Sequence, residues 1–195
     1  MSKEKLLNSL RSKGFSNKIV NAFSEVDRKE FVEGELKNFA YRDRPLPIGE
    51  NATISQPFTI AFMLDLLELD DSLKVLEIGS GCGYVLALLD EIIKESELYG
   101  VELNSDLVKK AKKYLSGKKI KVINKNGYKG LKEYSPFDRI LVSAAYPEEP
   151  THLFSQLKKD GIIVSPVKHS IIKYKKVDDE IVKESHYGFS FVPMR

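Results

Sequence analysis

The hydrophobic pattern of this chain changes period along its length, and the changes mark its parts. Between Ser2 and Glu25 apolar residues recur at helical spacing, first Leu6-Leu7-Leu10 and then Ile19-Val20-Phe23. Gly14 separates the two groups and Ser16 is a good N-cap for the second, so the pattern predicts two short amphipathic packing helices. From Phe31 to Ala52 the periodicity fades, and Pro45, Pro47 and Gly49 punctuate it. A structured loop is expected there, and loops of that length inside a compact domain tend to carry function. Pro57 then opens a helix on which Ile60, Met63, Leu64 and Leu67 share one buried face.

Beyond this point short apolar runs alternate with helical patterns. Strands are predicted near Leu73–Ile78, Leu98–Glu102, Ile120–Ile123, Arg139–Ser143 and Ile162–Val167. Helices are predicted over Val85–Ile93 and Leu107–Leu115, with another carrying Leu153 and Leu157. Strand and helix in alternation imply a doubly wound, mostly parallel sheet of Rossmann-like type. The tail reads differently: Ile171–Val177 and Ile181–His186 form a hairpin about Asp178-Asp179-Glu180, followed by a strand at Phe189–Val192. No linker or repeat interrupts the 195 residues, so a single domain over 1–195 is expected, with helices and loop 1–52 appended to its core.

The candidate chemistry lies where the first parallel strand ends, in Lys74-Val-Leu-Glu-Ile-Gly-Ser-Gly-Cys-Gly-Tyr84. Gly79, Gly81 and Gly83 let the backbone turn tightly and approach a ligand. The spacing is G-x-G-x-G, not that of dinucleotide enzymes, and no Lys-Ser or Lys-Thr follows as in a P-loop. Glu77 falls at the carboxyl end of its strand, where a carboxylate can meet the ammonium of a methionine moiety. Glu102 ends the next strand, about twenty residues after the loop, the offset at which an acid accepts hydrogen bonds from ribose hydroxyls. Amine, ribose and close backbone approach together suggest S-adenosylmethionine.

Composition adds limits. Thirty-one basic against 28 acidic residues leave a net charge of only +3, which gives no reason to expect a nucleic-acid partner. No apolar run approaches the ~20 residues of a membrane span, and no signal-peptide core follows Met1, so a cytoplasmic protein without membrane association is expected. The single cysteine, Cys82, excludes an internal disulfide, and His152, His169 and His186 have no metal-ligand spacing. Cys82 reads as a small loop residue, and no heptad marks an association surface, so a monomer is expected.

Laid end to end, the motifs resemble those of protein-L-isoaspartate O-methyltransferases, which are class I enzymes dependent on S-adenosylmethionine. The resemblance is carried by Thr53-Ile-Ser-Gln-Pro57, the glycine segment, Val101-Glu102, Pro136-Phe-Asp-Arg-Ile140 running into Ser143-Ala-Ala145, Gln156-Leu-Lys158 with Gly161, Pro166, and Phe191-Val-Pro193. It implies methyl transfer to the isoaspartyl carboxylate of damaged proteins, initiating their repair, with S-adenosylhomocysteine as product. Carried over residue by residue, it makes Ser55 the catalytic hydroxyl, flanked by Ile54 and Phe58 on the substrate side. Ser80 with Gly79, Gly81 and Gly83 would line the methionine end of the cofactor, Glu102 the ribose, and Asn126 and Gly127 the adenine, with Glu77, Tyr84 and Leu103 also cofactor-binding. The chain departs from the family pattern at three places: Lys125-Asn126-Gly127 stands for Gly-Asp-Gly, Phe58 for a polar residue, and Lys168 for a glycine after Pro-Val. A methyltransferase of the same fold acting on another substrate, or a cofactor binder without catalysis, are the alternative readings.

Overall fold

The structure is a computed structural model and describes residues 1–49, 51–178 and 180–194. Helix α1 (Lys3–Ser12) is capped by the Ser2 hydroxyl and α2 (Asn17–Glu25) by that of Ser16. Two 3₁₀ turns, Arg28–Phe31 and Gly34–Phe39, lead to a short antiparallel pair, β1 (Leu46–Gly49) and β2 (Ala52–Ile54). The segment read as loop therefore contains regular structure, with Leu46 and Ile48 of β1 turned inward. Helix α3 (Pro57–Leu66) starts at Pro57, whose fixed φ suits a first helical position.

Strand β3 (Lys74–Ile78) is followed by α4 (Tyr84–Ile92), β4 (Glu97–Glu102), α5 (Ser105–Tyr114), β5 (Ile120–Asn124), β6 (Phe137–Val142), β7 (Leu157–Val167), β8 (Ser170–Val177) and β9 (Glu180–Tyr187). They build a seven-stranded sheet of order β5-β4-β3-β6-β7-β8-β9, parallel from β5 to β7 and antiparallel thereafter. The chain winds outward from β3 to β5, then crosses back to place β6 on the other side of β3. That reversal leaves a crevice at the carboxyl ends of β3 and β6, where open α/β sheets bind ligands.

Alternation along the strands divides the core in two. Val75, Leu98, Leu141 and Ile162 face one cluster, which takes in the buried residues of α1 to α5. Leu76, Tyr99, Ile140 and Ile163 face the other, covered by Leu131, Tyr146 and Leu153 from loops and 3₁₀ turns. The appended N-terminal helices share the first cluster, with Phe23 and Phe31 packed edge-on against Tyr84 at 6.2 and 5.1 Å. At the strand ends opposite the crevice, Asp138 accepts the Lys74 amide (2.8 Å) and Arg139 donates to the Leu67 and Glu68 carbonyls. The Pro-Phe-Asp-Arg motif is thus a brace for the sheet.

Two expected elements differ. The helix through Leu153 and Leu157 is a 3₁₀ turn, Thr151–Gln156, and Leu157 already pairs with Phe137 as the first residue of β7. Residues 189–192 do not form a strand, although Pro193 just beyond makes a single bridge to Ala145. The hairpin β8/β9 is present as predicted, but Asp179 in its turn lies outside the described residues. Among the described residues no helix is long and apolar enough to cross a membrane.

Candidate active site

A cavity of about 730 Å³ occupies the crevice. Its floor is Gly79 and Gly81 from the loop after β3, with Ser143 and Ala144 after β6. One end is formed by Glu102, Leu103 and the start of α5, with Gly127; the other is walled by Thr53, Ser55 and Gln56 from the segment before α3 and by residues 190–194. That last segment is held by Ala145, whose amide donates to the Val192 carbonyl (2.9 Å) and whose carbonyl accepts from the Met194 amide (2.8 Å).

The loop's shape follows from its glycines. Gly79, Gly81 and Gly83 have φ of 78°, 52° and 84°, all in the left-handed region. The Gly79 amide donates to the Val101 carbonyl (2.8 Å), anchoring the turn to β4. The Glu102 carboxylate spans the two helix starts: one oxygen accepts the Gly81 amide and the other the Asn104 amide, each at 2.9 Å. Both oxygens keep a further lone pair beside the cavity that Glu102 lines. Leu103 next to it is 51% exposed on the cavity wall, where it offers an apolar face.

Glu77 is buried behind this loop. Its Oε1 accepts the Ser143 hydroxyl at 2.7 Å, while Oε2 and the buried Ser80 hydroxyl find no partner among the described residues. Burial pushes the Glu77 carboxyl up to about 8, with the nearby charge of Glu102 adding to the shift and the Ser143 hydrogen bond opposing it. Both groups line a small cavity of about 40 Å³ that shares Ser55, Gly79, Gly81 and Ser143 with the larger one. A ligand's ammonium placed beside this orphaned carboxyl would displace its proton and pair with the resulting carboxylate. The residues fit an amino-acid-bearing nucleoside.

The remaining predicted residues fall into two groups. Ser55 and Gly127 line the large cavity, and Ile54 and Tyr84 reach only the small one. Ser55 is half-buried, and no hydrogen bond engages its hydroxyl among the described residues. A Cβ on Gly127 would lie 2.7 Å from Val101 and 2.9 Å from Ile78, so only glycine lets this backbone close over the strand ends. Gly83, Phe58 and Asn126 line neither cavity. A Cβ on Gly83 would meet Leu115 at 2.9 Å, which makes it a packing glycine between α4 and α5. Phe58 instead stacks with Phe62 (6.1 Å) and packs at a tilt against Phe15 (5.8 Å), and its amide donates to Asp43. The Asn126 oxygen is occupied locally, accepting the Tyr128 amide at 2.8 Å. Cys82 is buried and its thiol is pushed up to about 12, as an inert loop residue should be.

Sequence reasoning missed four contributors. Ser143 reaches Glu77 from the next strand, and residues 190–194 return from the end of the chain. Gln156, 1% exposed, accepts the Leu131 amide and donates to the Lys129 carbonyl, fixing the turn after Gly127. Arg28, also 1% exposed, donates to four carbonyls around the Ser55 segment. Ser143, Gln156 and Phe191-Val-Pro193 fall in segments that carry the resemblance, but their roles act through partners distant in the chain, and the neighbours of Arg28 carry no sign of its role.

A parallel sheet reversing beside a glycine loop, with a carboxylate ending each of two adjacent strands, defines a class I methyltransferase fold. The profile of the protein-L-isoaspartate(D-aspartate) O-methyltransferase family (PCMT) matches residues 1–195. A Petrotoga mobilis protein named protein-L-isoaspartate O-methyltransferase is 45% identical over 195 residues, covering 95% of this chain and 91% of its own length. A solved protein-L-isoaspartate O-methyltransferase superposes with a TM-score of 0.89 at 29% identity, over 98% of this chain and 65% of that longer one. A Plasmodium falciparum structure with the same family designation, in complex with S-adenosyl-L-homocysteine, gives 0.84 at 24% identity, over 100% and 99%. The chain belongs to the protein-L-isoaspartate O-methyltransferase family.

Proposed function

We propose that the protein transfers the methyl group of S-adenosyl-L-methionine to the carboxylate of L-isoaspartyl residues in peptides and proteins, releasing S-adenosyl-L-homocysteine. The observation that carries this reading is the unengaged Ser55 hydroxyl on the wall of the cavity that also holds the glycine loop and Glu102. When bound, the cofactor supplies an electrophilic methyl group on a sulfonium. Glu77 and Ser80 would hold its ammonium end, Glu102 its ribose hydroxyls, and Leu103 and Gly127 its flat adenine.

A carboxylate of pKa ~4 is already ionised at neutral pH, so this chain needs no general base. Its work is to aim and to dry. Ser55 donates a hydrogen bond to one carboxylate oxygen and leaves the other directed into the cavity. Holding both reactants in line is worth on the order of 7–11 kcal/mol of the barrier. Ile48 and Phe191 exclude water from the wall beside Ser55, favouring neutralisation of the two opposite charges as the ester forms.

The test is transfer of labelled methyl from S-adenosylmethionine to an isoaspartyl peptide beside its normal aspartyl twin. Labelling of the isoaspartyl peptide alone is expected, and Ser55→Ala should lower turnover while cofactor affinity is retained. Cofactor binding with neither peptide labelled would overturn the substrate assignment.

A further inference from the structure

Arg28 is the one arginine buried to 1% exposure, and it has no carboxylate within ion-pair distance among the described residues. Its guanidinium collects carbonyls instead. Nη1 donates to Ala40 at 2.6 Å, and Nη2 faces Arg44 (3.2 Å), Ile54 (3.3 Å) and Ser55 (2.9 Å). Nε is buried without a partner among the described residues. Burial lowers the guanidinium's pKa, yet arginine stays charged in proteins. A desolvated charge held this way is a poor device for stability alone, since apolar replacements of buried charges are often as stable or more so. A planar fork that fixes several acceptors at once is a good device for geometry.

The fork's partners show what it fixes. It stands on a 3₁₀ turn whose own start is tied by Asp27, which accepts the Lys29 amide (2.9 Å) and the Tyr41 hydroxyl (2.8 Å). From there it joins the 40–44 stretch to the end of β2 and to Ser55. On the far side of Ser55, Gln56 is held extended, with φ −62° and ψ 143°, by the proline that follows it. The Ser55 backbone is thus clamped from both directions while its hydroxyl carries no bond of its own.

We infer that Arg28 is a positioning residue for the reaction, holding the Ser55 backbone so that its hydroxyl meets the substrate carboxylate. The inference rests on the proposed role of Ser55. The experiment is a double-mutant cycle on kcat in the full-length protein, using Ser55→Ala, Arg28→Lys, Arg28→Met and the Ser55→Ala combinations, with cofactor affinity by calorimetry and Tm recorded for each. Displacing a reacting partner by about 1 Å can reduce rate by about 100-fold, so Arg28→Lys should lower kcat by roughly 10- to 100-fold with cofactor affinity unchanged. The paired variants should be no slower than Ser55→Ala alone, a non-additivity that a loss of fold stability would not produce. Arg28→Met keeps an unbranched apolar stem without the guanidinium donors; it should lose kcat even at temperatures well below its Tm. Multiplicative losses would overturn the role of Arg28 and leave that of Ser55 standing. An unimpaired Ser55→Ala would overturn both.

Discussion

Replacing Glu77 by glutamine separates its ionisation from its shape. The amide keeps an oxygen for the Ser143 hydroxyl, which lies 2.7 Å from Oε1, but it cannot titrate. In the wild type, burial raises this carboxyl from its ordinary 4.5 to about 8. The folded protein therefore holds a proton that the unfolded chain releases above pH 4.5. Stability from this group is fully present below pH 4.5 and is lost as the pH rises through about 8. At about 1.4 kcal/mol per pH unit, the loss across that window is roughly 3–5 kcal/mol. For a chain of this size each kcal/mol moves Tm by roughly 2–4 °C, so Glu77→Gln should melt on the order of 10 °C above wild type at pH 8 and beside it at pH 5. Differential scanning calorimetry of the ligand-free proteins from pH 5 to 8 measures this directly. Parallel pH profiles for the two proteins would refute the buried, proton-holding Glu77. The same reasoning predicts that a ligand ammonium beside Oε2 displaces the proton. Calorimetric titration with S-adenosylmethionine near pH 7, in buffers of different ionisation enthalpy, should report proton release from wild type and none from Glu77→Gln.

Other perturbations test other parts of the site. Glu102→Ala should weaken S-adenosylmethionine binding by roughly 1.5–3 kcal/mol, the range for hydrogen bonds to a charged group, and unchanged affinity by calorimetry would refute the ribose assignment. Gly83→Ala combines a φ of 84° with a Cβ 2.9 Å from Leu115, so urea denaturation should show a loss of at least ~2 kcal/mol. Lys168 stands at φ 54° in the two-residue turn between the paired Val167 and Ser170, a first central position that favours glycine. Lys168→Gly should therefore stabilise by roughly 0.5–1 kcal/mol in the same assay, and a destabilised variant would show the lysine to be held by contacts rather than merely tolerated.

The legible parts of this chain were those whose signal is local. Val75, Leu76 and Ile78 form an apolar run because both faces of a central parallel strand are buried, and that run followed by spaced glycines gives the strand, turn and helix directly. Ser16 and Pro57 mark helix starts through bonds and angles within a few residues. The misread parts depend on distant neighbours. Leu153 and Leu157 are four apart by coincidence of a 3₁₀ turn meeting a strand, and the residues at 189–192 have the composition of a strand without a registered partner. Pro47 suggested a loop, yet an edge strand of two accommodates proline. Among the residues lining the cavity, Gly79, Gly81 and Glu102 stand out by their spacing, whereas Arg28 sits in Asp27-Arg28-Lys29-Glu30 and looks like any solvated charge. Phe58 stands beside Ser55 in sequence, but the first turn of α3 carries its ring away to Phe15 and Phe62.

Residues 190–194 form one wall of the cavity although they follow every strand of the sheet. During synthesis the glycine loop, both carboxylates and Ser55 all emerge long before this wall does. Ligand capture therefore depends on a segment synthesised after the sheet that supports it. The same arrangement ties one ligand to segments far apart in the chain, so occupancy of one crevice should shield the β1/β2 pair and residues 190–194 from exchange together.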